Sequence, residues 1–377
     1  CLFHPDGVCS RPLPAQKLSV GVSAGKAELL ICGLGFYELY VNGQRITKGL
    51  LSPYISNPDD IIYYDSYTIL PYLQKGENVL GICLGNGFQN NPGGYVWDFE
   101  KARFRGAPEV AMGLELTFPD GETLRIESDE SFRTAPSPIY NDDYRNGEYY
   151  DARRELPGWC APGFDDSGWA FARTAPLPRG EARLCEAEPI VVEREIRPVS
   201  VKPLEDGYVY DFGENNTGVC RLTIRGEAGQ TVALYHAEQI KEGKLDRRSI
   251  SFDENDYTHK DIYICKGEGE ESYTPTFTYH GFQYVLVKGL RPEQANKDLL
   301  TFVVFHTRLR ERGGFTCSDE RVNALQAMVR RSTVSNFHHF PTDCPQREKN
   351  GWTADASLST EHTLLNLEPD KNYREWM

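Results

Sequence analysis

Apolar and polar positions alternate in short runs from residue 18 to about residue 180, the two-residue period of strands with one buried face. The first clear run is Ala27-Glu28-Leu29-Leu30-Ile31-Cys32. Phe36-Tyr37-Glu38-Leu39-Tyr40-Val41 follows and ends at Asn42-Gly43, a dipeptide that favours two-residue hairpin turns. Residues 78–84 end in a Gly-Asn-Gly turn, and residues 110–118 turn at Pro119-Asp120-Gly121. Turn signals at roughly 8- to 12-residue spacing, without a helical period, predict a β-sandwich or jelly roll. A looser stretch from about 135 to 190, rich in Pro, Gly, Asp and aromatics, holds Gly147-Glu148-Tyr149-Tyr150-Asp151-Ala152-Arg153. Strand patterns return between 190 and 310, at 208–212, 219–224, 231–235 and 282–287. The alternation in Arg221-Leu222-Thr223-Ile224 fits a half-buried strand of a second β-sandwich.

The period changes after Gly313-Gly314. Ser318 and Asp319 can cap a helix carrying Val322, Leu325, Met328 and Val329, apolar at helical spacing. A second helix is predicted over about 355–367, with Leu358, Leu364 and Leu365. Between them, Pro341, Pro345 and Gly351 forbid one continuous helix. The expected organisation is multidomain: two β-sandwich (jelly-roll-like) domains, 1–180 with the connecting segment and 181–312, then the beginning of an α domain at 313–377.

Composition narrows the function classes. The 377 residues carry 41 basic and 55 acidic side chains, a net charge of −14. That balance argues against sequence-independent binding to nucleic acid, which needs basic patches. No apolar run approaches the roughly 20 residues of a membrane helix. The ten cysteines are scattered without CxxC spacing, so zinc-ribbon and redox motifs are not expected. Cys32, Cys83 and Cys265 lie in apolar runs, as small hydrophobes do. Reduced thiols and a cytoplasmic setting follow. The alternative is an exported lipoprotein or periplasmic protein, with Cys1 as the modified residue; nothing at the N-terminus resembles a signal peptide.

The densest chemistry lies in the loop between the helices. Asp343, Arg347, Glu348 and Asp355 place three carboxylates and a guanidinium within thirteen residues, beside Trp352. Sugar hydrolysis uses such a set: a carboxylic acid protonates the leaving oxygen, and other carboxylates face the sugar and its oxocarbenium-like transition state. A tryptophan supplies an apolar face for the ring. The competing explanation is a solvated charged loop with Arg347 paired to Asp343. His338-His339 would make a poor chelate, and His236 and His280 read as hydrogen-bonded structural histidines, so no metal site is expected. The glycine-rich run at 85–94 lacks the Lys-Ser/Thr of a phosphate loop; it reads as a surface loop that could meet carbohydrate through Tyr95 and Trp97.

Asp343-Cys344-Pro345-Gln346-Arg347-Glu348-Lys349-Asn350-Gly351-Trp352-Thr353-Ala354-Asp355 closely resembles the signature of bacterial α-L-rhamnosidases, glycoside hydrolase family 78. Tyr40-Val41-Asn42-Gly43, Leu84-Gly85-Asn86-Gly87-Phe88, Gly147 to Arg153, Tyr210-Asp211-Phe212-Gly213-Glu214-Asn215 and Tyr279-His280-Gly281-Phe282-Gln283-Tyr284 are similar to further stretches of that family. The resemblance spans about residues 25 to 377. It implies that residues 313–377 start an (α/α)6 catalytic barrel. It implies an inverting glycosidase that removes terminal α-L-rhamnosyl groups from glycosides or oligosaccharides without a cofactor. By motif position Glu348 resembles the general acid, and Asp343, Arg347, Trp352 and Asp355 resemble residues lining the rhamnose subsite. Inversion needs a second carboxylate about 6.5–9.5 Å from the acid, which in the family comes from later in the barrel. The general base is therefore expected outside these residues. The alternative is a non-catalytic carbohydrate-binding β-sandwich protein with an inert helical remnant. Aglycone, linkage preference and a homo-oligomeric state stay open at this level.

Overall fold

The alternation read in the first run is seen residue by residue. Lys26–Leu34 forms a strand whose inward positions Ala27, Leu29 and Ile31 are buried, and Glu109–Thr117 alternates along its whole length. The two pair antiparallel, Leu29 opposite Leu114. The structure, a computed structural model, describes residues 2–3, 15–20, 24–91, 97–251 and 258–377. Cys1 and Tyr95, both singled out on the sequence, lie outside the described residues. The protein is mostly β, with few helices, in two units: Cys1–Asp142 with Arg154–Cys185, and Asp143–Arg153 with Glu186–Met377. No helix among the described residues is long and apolar enough to cross a membrane.

In the first unit a seven-stranded and a six-stranded sheet contribute to one apolar core. Leu29, Ile31, Val110, Met112, Leu114 and Leu116 enter it from one sheet, and Tyr37, Leu39, Val41, Leu80, Ile82 and Leu84 from the other. Phe36–Val41 turns at Asn42 (φ 51°) and Gly43 (φ 83°) and returns as Gln44–Arg45. Both turn residues are left-handed, as the hairpin turn matching strand twist demands.

The second unit is built on a large sheet. Seven of its ten strands run in the order Gly147–Asp151, Lys260–Ile264, Thr231–Ala237, His280–Lys288, Gly207–Ile224, Leu300–Thr307 and Ile190–Ile196. The two strands expected at 208–212 and 219–224 are one, Gly207–Ile224. Its register against His280–Lys288 shifts between Asp211 and Asn216, a bulge that breaks the alternation. The connecting segment, expected with the first domain, divides. Asp143–Arg153 belongs to the second unit because Gly147–Asp151 pairs in parallel with Lys260–Ile264. Gly147 makes this approach possible: its φ is 139°, and a Cβ there would lie 2.1 Å from the Lys260 carbonyl oxygen.

Helix α1 spans Glu320–Ser335, and the Asp319 side chain caps it by accepting the Arg321 N–H at 2.9 Å. Helix α2 spans Thr353–Asn366, and α3 spans Asp370–Trp376. Most of the predicted apolar positions point outward: Val322, Leu325 and Met328 of α1 and Leu358 and Leu365 of α2 are exposed, while Val329 and Leu364 are half-buried. The buried residues of α1 and α2 are small, Thr333, Ser335, Ala356 and Thr363. Thr333 Oγ1 lies 2.7 Å from His362 Nε2, one of the polar ties between the two helices.

Candidate functional site

The loop from Pro341 to Trp352 closes on itself through Asp343. The Asp343 N–H donates to the Asn350 carbonyl at 3.0 Å, and the Asn350 N–H donates to Asp343 Oδ1 at 3.1 Å. The Cys344 thiol donates to Asp343 Oδ2 at 2.8 Å, and the Glu348 N–H donates to Cys344 Sγ at 3.3 Å. Burial, then the hydrogen bond to Asp343, pushes the Cys344 thiol up from its ordinary value. Asp343 thus ties the loop shut, as Asp side chains do in local turns. The Arg347–Asp343 pair of the solvated-loop alternative does not form: Arg347 is exposed and has no ion pair among the described residues.

Glu348 and Trp352 come together. The Trp352 indole Nε1–H donates to Glu348 Oε2 at 2.5 Å, and Trp352, 43% exposed, immediately precedes α2. Asp355 lies in the first turn of α2, where the helix N-terminus favours negative charge. Asp343 and Asp355 line a cleft of about 340 Å³ between α1 and α2, together with Thr342, Asn336 and His362. Arg347, Glu348 and Trp352 are not among its lining residues. The five candidate residues therefore fall into a carboxyl–indole pair, two carboxylates facing a cleft, and an exposed guanidinium.

Three family descriptions match this chain in succession. Residues 23–194 match the alpha-L-rhamnosidase N-terminal domain, 202–306 the bacterial alpha-L-rhamnosidase concanavalin-like domain, and 310–377 the bacterial alpha-L-rhamnosidase 6 hairpin glycosidase domain. The chain belongs to the bacterial α-L-rhamnosidase family. An alpha-L-rhamnosidase of Formosa agariphila is 35% identical over 371 residues, covering 96% of this chain and 38% of that protein. The structure of the alpha-L-rhamnosidase from Dictyoglumus thermophilum superposes with a TM-score of 0.89 at 34% identity, covering 99% of this chain and 42% of that one. The Streptomyces avermitilis alpha-L-rhamnosidase, crystallised with L-rhamnose, gives a TM-score of 0.89 at 29% identity, covering 97% and 35%. The rhamnosidase-family chain thus spans less than half the length of each of these relatives.

Several residues that shape the site in this rhamnosidase-family chain carry no local sequence signal. Arg145, 3% exposed, donates from Nε to the Glu348 carbonyl at 3.0 Å and from Nη2 to Asn350 Oδ1 at 2.6 Å. Lys349, fully buried, donates from Nζ to the carbonyls of Tyr144, Arg145 and Tyr279. Burial lowers Lys349 to about 7, opposed by the charges of Asp143 and Asp261. Burial also lowers the Arg145 guanidinium from its ordinary value, and Asp143 and Asp343 act against that.

The histidines read singly on the sequence form a cluster. His236, His259, His280 and Asp261 are buried. His280 Nε2 lies 3.1 Å from both Asp261 oxygens, and His280 Nδ1 lies 3.2 Å from His259 Nδ1. Burial, then the charge on His280, brings His236 down to about 3, and burial lifts Asp261 to about 6. Ligand atoms of His236, Asp261 and His280 lie within 4.8 Å of one another, close enough to suggest a metal. Ring geometry opposes it: His236 and His280 stack face to face at 4.0 Å with planes 15° apart. An ion between them would sit off both in-plane lone pairs, whereas coordination needs those lone pairs aimed at it. The cluster is a hydrogen-bonded piece of the sheet. His338 likewise stacks on Tyr279 at 4.2 Å and meets the Phe305 carbonyl through Nε2.

Proposed function

We propose that the chain is the acid-bearing part of an inverting α-L-rhamnosidase that removes terminal α-L-rhamnosyl groups from glycosides or oligosaccharides, with no cofactor in the chemistry. The observation that carries this is the Glu348 carboxylate held by the Trp352 indole at the entrance to α2, within a family-matching stretch. In this reading Glu348 gives its proton to the glycosidic oxygen as the C–O bond breaks. Water attacks the anomeric carbon from the opposite face and loses a proton to a second carboxylate. Trp352 offers its exposed ring to the sugar, and Asp343, Arg347 and Asp355 line the rhamnose subsite. The second carboxylate comes from outside residues 1–377, a reading supported by coverage of only 35–42% of the solved relatives just described. The match to a six-hairpin glycosidase domain supports α1 and α2 as the start of an (α/α)6 barrel. The shared core of the two sheets in the first unit supports a β-sandwich there. The non-catalytic binding alternative has no observation in its favour.

Hydrolysis of p-nitrophenyl α-L-rhamnoside tests the reading. The intact native polypeptide is expected to release p-nitrophenol and, by NMR of the first product, β-rhamnose. Glu348→Gln is expected to lose about 100-fold or more in kcat, and residues 1–377 alone are expected to be inactive. Wild-type activity in Glu348→Gln refutes the acid assignment. Efficient hydrolysis by residues 1–377 alone refutes the external base, and retention of configuration refutes inversion.

A further inference from the structure

The turn bearing Glu348 rests on two buried cations. Lys349 takes a left-handed backbone (φ 53°), rare for a residue with a side chain, and its ammonium is fully buried. Nζ reaches the Tyr144 carbonyl at 2.8 Å, the Arg145 carbonyl at 3.1 Å and the Tyr279 carbonyl at 2.5 Å. An ammonium has three protons, so each meets an acceptor. The rings of Tyr279 and Tyr144 add their faces at 4.3 and 5.5 Å. Arg145 approaches the same turn, with Nε on the Glu348 carbonyl and Nη2 on Asn350 Oδ1. Three consecutive residues are thus each fixed at one point: 348 by its carbonyl, 349 by its ammonium and 350 by its side-chain amide. The groups fixing them, Tyr144, Arg145 and Tyr279, lie far away in sequence.

A tie that served only stability could be apolar, because buried charges are costly to desolvate and gain little over a hydrophobic replacement. Cations held by carbonyls in fixed directions do something a greasy contact does not: they define the position and orientation of a backbone turn. We propose that Lys349 and Arg145 are positioning residues for the general acid, holding the turn so that the Glu348 carboxyl and Trp352 stay aimed at the glycosidic oxygen. The proposal rests on the reading of Glu348 as the acid. Proton donation is sensitive to such placement, since a displacement of about 1 Å can cost on the order of 100-fold in rate.

The test compares two α-L-rhamnosides on the intact native polypeptide. A 2,4-dinitrophenyl rhamnoside has a leaving group that departs without a proton, whereas an alkyl rhamnoside needs one. Lys349→Met and Arg145→Lys are expected to lower kcat on the alkyl rhamnoside by about 10- to 100-fold. On the dinitrophenyl substrate the expected loss is under about threefold, with KM close to wild type on both. Glu348→Gln is the reference and is expected to show the same selectivity with a larger loss. Equal losses on both substrates, or no loss, overturn the positioning role, because a smaller folded fraction lowers both rates alike. In that case the acid assignment still stands if Glu348→Gln keeps its selectivity. If Glu348→Gln has no effect, the acid reading falls and this proposal with it. If Lys349→Met does not fold, Arg145→Lys carries the test, since it keeps the charge and loses only the forked geometry.

Discussion

Glu148 secures the segment that bears Arg145, and its charge is predicted to oppose folding. The side chain is fully buried. Oε1 accepts from the Tyr273 hydroxyl and the Thr276 N–H, each at 3.1 Å; Oε2 accepts from the Thr276 N–H at 3.0 Å and the Phe277 N–H at 2.9 Å. Burial raises the carboxyl from 4.5 to about 7; the Asp261 charge adds to this, and the N–H donors of Phe277 and Thr276 and the Tyr273 hydroxyl pull the other way. With the folded value above the unfolded one, the stabilising contribution is complete below pH 4.5 and is lost as the pH rises through about 7. The gap between 4.5 and about 7, at about 1.4 kcal/mol per pH unit, is worth about 3 kcal/mol. In Glu148→Gln the amide oxygen can keep the Phe277 and Thr276 N–H groups while its NH₂ donates to the Tyr273 oxygen. The variant therefore keeps the bonds of the neutral acid and has no charge to bury. Its stability relative to wild type is expected to be near zero at pH 4.5 and to rise to about +3 kcal/mol at pH 8. Urea midpoints for the second unit, read by deuterium uptake in peptides from residues 260–287 at several pH values, measure that difference. A difference that stays flat with pH, or that favours wild type toward pH 8, refutes the reasoning.

Other consequences are similarly local. A Cβ at Gly281 would lie 2.7 Å from Pro345 Cγ, so Gly281→Ala is expected to push the loop between Asp343 and Glu348. It should lower kcat on an alkyl rhamnoside about 10-fold with circular dichroism unchanged; wild-type kcat would show that the loop absorbs the displacement. Asn372 is fully buried, accepts the Glu188 N–H at 3.0 Å and donates to the His339 carbonyl at 2.7 Å. Asn372→Ala should loosen α3 by about 2 kcal/mol, seen as faster amide exchange there, and unchanged exchange would refute it. His236 sits at about 3 against an ordinary 6.5, so its contribution is present above pH 6.5 and lost as the pH falls through about 3. His236→Leu should therefore move acid unfolding of the second unit to lower pH, and an unmoved or higher midpoint would count against the buried neutral ring.

Legibility in the sequence followed the range of the interactions. Strands 26–34 and 109–117 were readable because each alternates along its length, and strand 36–41, buried along nearly all of its length, because Asn42-Gly43 specifies its turn by itself. Glu348 and Trp352 were each legible as members of one motif, but the hydrogen bond between them was not, because no sequence pattern announces it. The single strand Gly207–Ile224 was not, because the bulge between Asp211 and Asn216 interrupts the only local signal. Nor was the strand Gly147–Asp151, whose partner begins at Lys260: parallel pairing leaves no turn between the strands to announce it. Asp343 illustrates a residue type that underdetermines its role. A carboxylate in this motif reads as a sugar ligand, yet both its oxygens bind its own loop, while it also lines the cleft. The apolar stripe of α1 was correctly placed on the helix, but a helical period cannot say whether that stripe meets protein or water.

The arrangement around Glu348 resolves a conflict between exposure and order. A group that protonates a bound sugar must be reachable, and an exposed turn between two helices has little packing of its own to fix it. Arg347 and Trp352 are exposed, so the upper side of the turn offers no such order. Order is supplied from below, where Lys349 and Arg145 lock the backbone onto Tyr144, Arg145 and Tyr279. That arrangement requires residues 143–153 to belong to the second unit although in sequence they lie between the two segments of the first. Glu148 and the pairing of Gly147–Asp151 with Lys260–Ile264 hold them there. The connecting segment is thus better understood as part of the site's foundation than as a linker. A second unit expressed as residues 186–377 would lack Arg145 and two of the three acceptors of Lys349, leaving the cation buried with the Tyr279 carbonyl alone. Since an underpartnered buried charge is strongly destabilising, the motif loop should lose its fixed form in such a piece even where the remaining sheet persists.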